Sequence, residues 1–210
     1  SKWDVSSVQN MGSAFNNCTK LKTLDVSNWN VGKVTQMQSL FQNCYELTTL
    51  DVSKWDVSSV QDMNFMFFSC HKLVALDVSK WNTQSVTGMV QMFLSCSSLQ
   101  YLNTLKWNVG KVTNLGQMFA NCISLKHIDV SNWNVSQVTN LGGMFTNCPL
   151  LEHLDVSKWN TSNVVTTGGF VRGCTSLTKI DMSKWNMGNV NDIGNMFQNC
   201  TSLTSVGNIN

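Results

Sequence analysis

Two histidines, His127 and His153, are each followed two positions later by a carboxylate, Asp129 and Asp155. Tyr101 precedes His127 by the interval that separates the two histidines, and Lys179 follows His153 by that interval again, so polar side chains able to hydrogen-bond or stack recur at one spacing. Imidazole and carboxylate together can ligate a transition metal. No CxxC pair accompanies them and the chain holds only 3 His, so zinc-type ligand spacing is missing. Tyr101, His127, His153, Lys179, Asp129 and Asp155 are read as a candidate ligand patch, with tolerated surface residues as the plainer alternative. No metal and no cofactor is assigned. No nucleophile stands beside a base and no Gly-rich phosphate loop is present, so the chain is not expected to be an enzyme.

The interval that spaces these residues governs the whole chain. All 8 Trp fall on it: Trp3, Trp29, Trp55, Trp81, Trp107, Trp133, Trp159 and Trp185. All 8 Cys do the same: Cys18, Cys44, Cys70, Cys96, Cys122, Cys148, Cys174 and Cys200. Val8 and Val34 begin a third unbroken column, and Leu21 and Leu47 a fourth. The chain reads as eight uninterrupted copies of W-[ND]-[VT]-x-x-V-T-x-M-x-x-M-F-x-x-C-x-x-L-x-x-L-D-V-S-K. Such copies bury their apolar faces only by stacking on one another.

Within one copy, Leu24, Asp25, Val26 and Ser27 alternate apolar and polar, the period of a short strand with Leu24 and Val26 inward. Val34, Met37, Phe41 and Cys44 follow at spacings of three, four and three, which predicts a short helix. The expected fold class is α/β: a right-handed, leucine-rich-repeat-like solenoid of eight strand, turn and short-helix repeats, with a parallel sheet on one face. Residues 1–210 form one repeat domain in this reading, expected to be part of a longer surface protein.

Parallel rungs lie about 4.8 Å apart, so every column becomes a rail along the axis. Trp29, Trp55, Trp81, Trp107, Trp133 and Trp159 are expected to fill the core at the strand exit. Cys44, Cys70, Cys96, Cys122, Cys148 and Cys174 are expected to be buried free thiols, because parallel Cβ vectors do not favour the torsion of a disulfide. A row of carboxylates, Asp25, Asp51, Asp77, Asp129, Asp155 and Asp181, should raise its own pKa values by repulsion unless partners intervene, the candidates being Lys54, Lys80, Lys106, Lys158 and Lys184 and the backbone or Ser hydroxyl donors at the turn. Outward positions vary instead: Thr23, Thr49, Ala75, Tyr101, His127, His153, Lys179 and Ser205 share one column. Two copies break pattern, "YLNTLKWN" at 101–108 and "VVTTGGFVRGC" at 164–174.

The stretch "LKTLDVSNWNV" at 21–31 resembles the frame of leucine-rich repeats, with Trp29 where those repeats carry Asn. The "MFxxC" segment and the full unit resemble the bacterial surface-protein 26-residue repeat, a BspA-like leucine-rich-repeat family. That resemblance implies a solenoid displayed on a cell surface and adhesion to host or matrix ligands. It supplies no catalytic residue.

Composition adds limits. A net charge of +2 with no Lys/Arg run gives no argument for nucleic acid. No apolar stretch reaches the roughly 18–20 residues of a membrane span. The opening on Ser1 in mid-pattern suggests a processed or excised piece, with any signal or anchor outside it. The expectation is a non-enzymatic extracellular or cell-surface module binding a protein or glycan ligand on a host, matrix or cell wall. The alternative is a structural spacer, or a solenoid that self-associates end to end through uncapped terminal rungs.

Overall fold

Alternation decides which side chains enter the core. Val26 is fully buried while Asp25 beside it is exposed. In the computed structural model, which describes residues 3–207, such extended segments pair in parallel with the equivalent segment one repeat later. Thr23 bridges Thr49, Ala75 bridges Tyr101 and Lys179 bridges Ser205. Pairing lengthens into two short strands, β1 (Tyr101–Leu102) and β2 (His127–Ile128), with Tyr101 opposite His127 and Leu102 opposite Ile128. A second column of parallel bridges follows the return segment, through Asn10, Gln36, Asp62 and Gly88, then through Asn114, Asn140, Thr166 and Asp192. The constant interval winds the chain into a solenoid around one continuous apolar core.

The expected helix does not form. Among the described residues no α-helix is present, and residues 38–43 are a train of turns. Their backbone N–H groups divide between two tasks. Met37, Ser39, Phe41 and Asn43 donate to the carbonyls of Asp62, Asn64, Met66 and Phe68 in the next coil, while Leu40, Gln42 and Cys44 close turns onto residues three back. The chain reverses at Ser39 and Asn43, both with positive φ of 56° and 61°. Asn recurs at this second site as Asn17, Asn43, Asn121, Asn147 and Asn199, the residue best suited to the left-handed region after Gly. Bridges at the return segment hold neighbouring coils at strand spacing, about 4.8 Å. An α-helix is about 10 Å across, so helices cannot stack at that interval. The four apolar positions still point inward, which is why the spacing imitated a helix: Val34, Met37, Phe41 and Cys44 are all fully buried.

Corners are made by Asp and Asn. Asp51 Oδ1 accepts from Ser53 N at 3.1 Å and Ser53 Oγ at 2.7 Å. Asp56 Oδ1 accepts from Ser58 N, and Asp62 Oδ1 from Asn64 N. Each is a side chain standing in for a backbone turn.

The rails use carbonyls twice. The Val26 oxygen accepts Trp29 N at 3.0 Å and Trp55 Nε1 at 3.2 Å. The Phe41 oxygen accepts Cys44 N at 3.1 Å and Cys70 Sγ at 3.2 Å. Indole and thiol thus occupy the lone pair that the turn leaves over. The indoles stack nearly parallel, Trp29 on Trp55 at 6.3 Å and Trp55 on Trp81 at 6.5 Å between centroids. The Phe rail runs alongside, with Phe67 on Phe93 at 5.4 Å. All eight cysteines are free.

Both irregular copies are absorbed locally. Phe170 and Val171 exchange the order of bulk along the chain and are both fully buried, Phe170 meeting Phe145 edge-on at 5.7 Å. In the copy at 101–108, Thr104 takes the place of Val26 and Val52, and its hydroxyl donates to Asp129 O at 2.6 Å. The indole that should follow, Trp133, keeps its Nε1 buried without a partner.

Candidate functional site

The strand column positions the expected patch on the surface. β1 and β2 place Tyr101 and His127 side by side in register, and Tyr101 is 56% exposed. His153 and Lys179 are exposed at the same phase on the following coils, and Lys179 bridges Ser205. Next to them, Asp129 and Asp155 are committed at one oxygen, since Oδ1 of each accepts both the N–H and the hydroxyl of Ser131 or Ser157. Among the described residues no three His, Cys, Asp or Glu come together in a way that could hold a metal.

Partners do intervene along the acidic row. Hydrogen bonds from Ser53, Ser79 and Ser157 hold Asp51, Asp77 and Asp155 below the usual carboxylate range, and the Ser183 backbone N–H leads the same effect at Asp181. Facing carboxylates oppose this only weakly, because the row is exposed and water screens it. The Ser two residues after each Asp is the partner that intervenes.

Before Tyr101 the column carries small side chains. Two depressions open there: one of about 490 Å³ over Thr23, Thr49 and Ala75, and one of about 410 Å³ between Ala75, Asp77, Gln100 and Tyr101. They meet at Ala75, and the Tyr101 ring walls the far end.

A larger groove, about 660 Å³, lies on the return segments and was missed in the sequence. Its floor is Gly116, Gly142, Gly168 and Gly194; the same phase carries Gly12, Gln38, Asn64 and Val90 in earlier coils. Asn114, Asn140, Thr166 and Asp192 form one side, and Gln91, Gln117, Thr146 and Arg172 the other. Asp192 Oδ2 accepts from Thr166 Oγ1 at 3.1 Å, and Gln91 Nε2 donates to Gln117 Oε1 at 2.6 Å. The signal was legible: four successive Gly at one phase, and the sole arginine of the chain, Arg172, beside it.

Comparison with known proteins bears on the repeat. A family model matches residues 1–101, 45–146 and 124–209, which together span nearly all of the sequence. The chain belongs to the DUF285 family. That family is described as "Mycoplasma protein of unknown function", so membership brings the 26-residue repeat and no activity. A search of curated proteins gives no match. Among solved structures, a leucine-rich repeat protein from Bacteroides ovatus is similar at 15% identity and a TM-score of 0.40, over 95% of this chain and 64% of that one. A leucine-rich cell surface protein from Faecalibacterium prausnitzii is similar at 16% identity and a TM-score of 0.32, over 93% of this chain and 75% of that one. The DUF285 chain spans less than two thirds of the Bacteroides protein, and neither superposes closely.

Proposed function

We propose that this chain is a non-enzymatic repeat module displayed at a cell surface, binding a protein or glycan ligand of a host, a neighbouring cell, the matrix or the cell wall. One observation carries the reading. Residues facing the core are sealed, while Tyr101 and His127 stand in register and exposed on paired strands. Interior positions repeat because each coil must fit its neighbours. The strand column is free of that demand, and it changes from hydroxyls at Thr23 and Thr49 to Tyr101, His127, His153 and Lys179. Aromatic and cationic side chains on a regular scaffold suit recognition. No helix among the described residues is long and apolar enough to cross a membrane. The crossovers are expected to be right-handed.

An array of matrix proteins and cell-surface glycans, probed with the chain and with a variant carrying alanine at 101, 127, 153 and 179, tests this. Ligands lost in the variant support the strand-column patch, and unchanged ligands remove it. A chain that binds nothing, yet grows in light-scattering mass with concentration, supports the spacer or end-to-end assembly reading instead.

A further inference from the structure

We propose that the hollow over Ala75 binds a neutral pyranose, stacked on the Tyr101 ring and hydrogen-bonded to Asp77 and Asn103. This site is one end of the strand-column patch, so it rests on the surface-binding reading above and gives that patch a ligand class.

Three outward changes fall together in the copy that departs from consensus at 101–108. Tyr101 follows Thr23, Thr49 and Ala75 in its column, Asn103 replaces the Asp of the row, and Leu105 replaces the corner Ser. The fold gains nothing from them. Leu105 is exposed, and its corner keeps one hydrogen bond, Leu105 N to Asn103 Oδ1 at 3.2 Å, where the Asp77 corner also holds a serine hydroxyl. The same copy leaves Nε1 of Trp133 buried without an acceptor. A repeat that breaks its own rules at a cost in stability does so for a reason outside the fold.

Register assembles the site. Ala75 bridges Tyr101, which sets Asp77 beside Asn103 two positions further along the same face. Tyr101, Asp77 and Asn103 line one hollow of about 410 Å³, and the small Ala75 side chain opens it beside the ring. The other tyrosine, Tyr45, is covered by His71 at 5.1 Å between ring centroids, whereas Tyr101 is exposed. Both polar groups are fixed at one atom. Asp77 Oδ1 accepts Ser79 N and Oγ, and Asn103 Oδ1 accepts Leu105 N. Asp77 Oδ2 and Asn103 Nδ2 have no partner among the described residues.

These three groups select the ligand. A pyranose carries a face of C–H bonds that suits the negative face of a phenol ring. Its rim carries hydroxyls, each both donor and acceptor. Asp77 Oδ2 only accepts and Asn103 Nδ2 only donates, so two neighbouring hydroxyls satisfy both. Asp77 is the only charged side chain lining the hollow, so an acidic ligand is repelled. A cation would leave the Asn103 donor unmet and gain little from one exposed ring and one exposed carboxylate. Strand addition is closed, because Val74 N already donates to Thr48 O and Gln100 N to Val74 O. The volume lies at the small end of ligand sites, about 300–1,000 Å³, which suits one sugar.

The chain has 2 Tyr, so ring-labelled tyrosine gives NMR signals at the site and, from Tyr45, an internal control. The probes are methyl β-glucoside, methyl β-galactoside and methyl α-mannoside, against galacturonate, choline and an extended proline-rich peptide. Expected results are a saturable shift of the Tyr101 signals with at least one neutral sugar and unmoved Tyr45 signals. Asn103→Asp and Ala75→His should each weaken binding about fivefold or more, the worth of one hydrogen bond. Asn103→Asp restores the residue of other coils and Ala75→His copies His127, so both carry a residue the column already uses. No shift at Tyr101 with any sugar overturns the site, and undiminished binding in a folded Asn103→Asp overturns its hydrogen bonds. Tighter binding of galacturonate, choline or the peptide overturns the ligand class. If array ligands still depend on positions 101, 127, 153 and 179 while no sugar moves Tyr101, this site fails and the surface reading stands. A sugar-dependent Tyr101 shift alongside an empty array supports the site and removes the macromolecular ligand.

Discussion

The indole Nε1 of Trp159 donates to the carbonyl oxygen of Val130, 3.0 Å away and 29 residues back in the chain. The same oxygen already accepts Trp133 N at 3.1 Å. Tryptophan therefore does more than fill volume: it ties each coil to the one before it at a carbonyl the turn leaves half used. Trp133 stacks like its neighbours, at 6.2 Å from Trp107, but its Nε1 has no acceptor. Trp159→Phe should accordingly destabilise the fold by about 1 kcal/mol more than Trp133→Phe, the usual net worth of one hydrogen bond. Chemical denaturation of the two variants checks this, and equal losses would assign the rail to packing alone.

Repairing the irregular copy should raise stability. Asn103→Asp, Thr104→Val and Leu105→Ser together restore the corner found at Asp77 and Ser79 and remove a leucine that is 53% exposed. The expected net gain of the three changes is about 1–2 kcal/mol, since a single consensus substitution commonly yields roughly 0.5–2 kcal/mol and the Thr104 hydrogen bond is given up. A denaturation midpoint at or below that of the native chain would show that Thr104, through its bond to Asp129 O, is the better solution in place.

The thiol rail sets an alkaline limit. Burial holds Cys44 and Cys122 up at about 12 and Cys70 and Cys96 well above the ordinary thiol value of 9.0. A raised folded value means that the neutral form is favoured in the coil, so this stability is complete below pH 9 and is lost as pH climbs from there toward 12. Melting temperature should fall across that window, and Cys96→Val should flatten the fall. Thiol reagents at pH 8 should label the half-buried Cys18 and Cys200 first, leaving the interior rail unmodified until unfolding.

Carboxylate corners work in the opposite direction. Asp77 is held below the usual range mainly by the Ser79 hydroxyl and its N–H. A depressed value gives stability that is present above the unfolded pKa near 3.8 and is lost as pH falls below it. Ser79→Ala should be less stable than the native chain at pH 7, and the gap should close toward pH 2. A gap independent of pH would mean that the serine acts through packing.

Much of this molecule could be read from columns. The period put Trp55, Cys70 and Val60 inside, and phase alone placed Tyr101 and His127 outside and adjacent. Segment type could not be read the same way. Val34, Met37, Phe41 and Cys44 present one face whether the chain is helical or a run of turns, and only the pairing of Gln36 with Asp62 decides, by holding coils too close for helices. The recurrent Asn17, Asn43 and Asn121 were the available clue. The Gly-floored groove escaped for a related reason: side chains that could do chemistry mark themselves in a sequence, whereas Gly142 and Gly168 contribute by leaving space.

Hydrogen bonds between coils also govern how the molecule bears load. Ser39 N holds Asn64 O, and Phe65 N holds Val90 O, so tension applied at one end falls on the outermost turn before the next is strained. A pulled chain would pay out one repeat at a time, each surrendering its contour length in a separate yield. A tether of this kind lengthens in steps while the unpeeled remainder keeps its shape and its exposed columns.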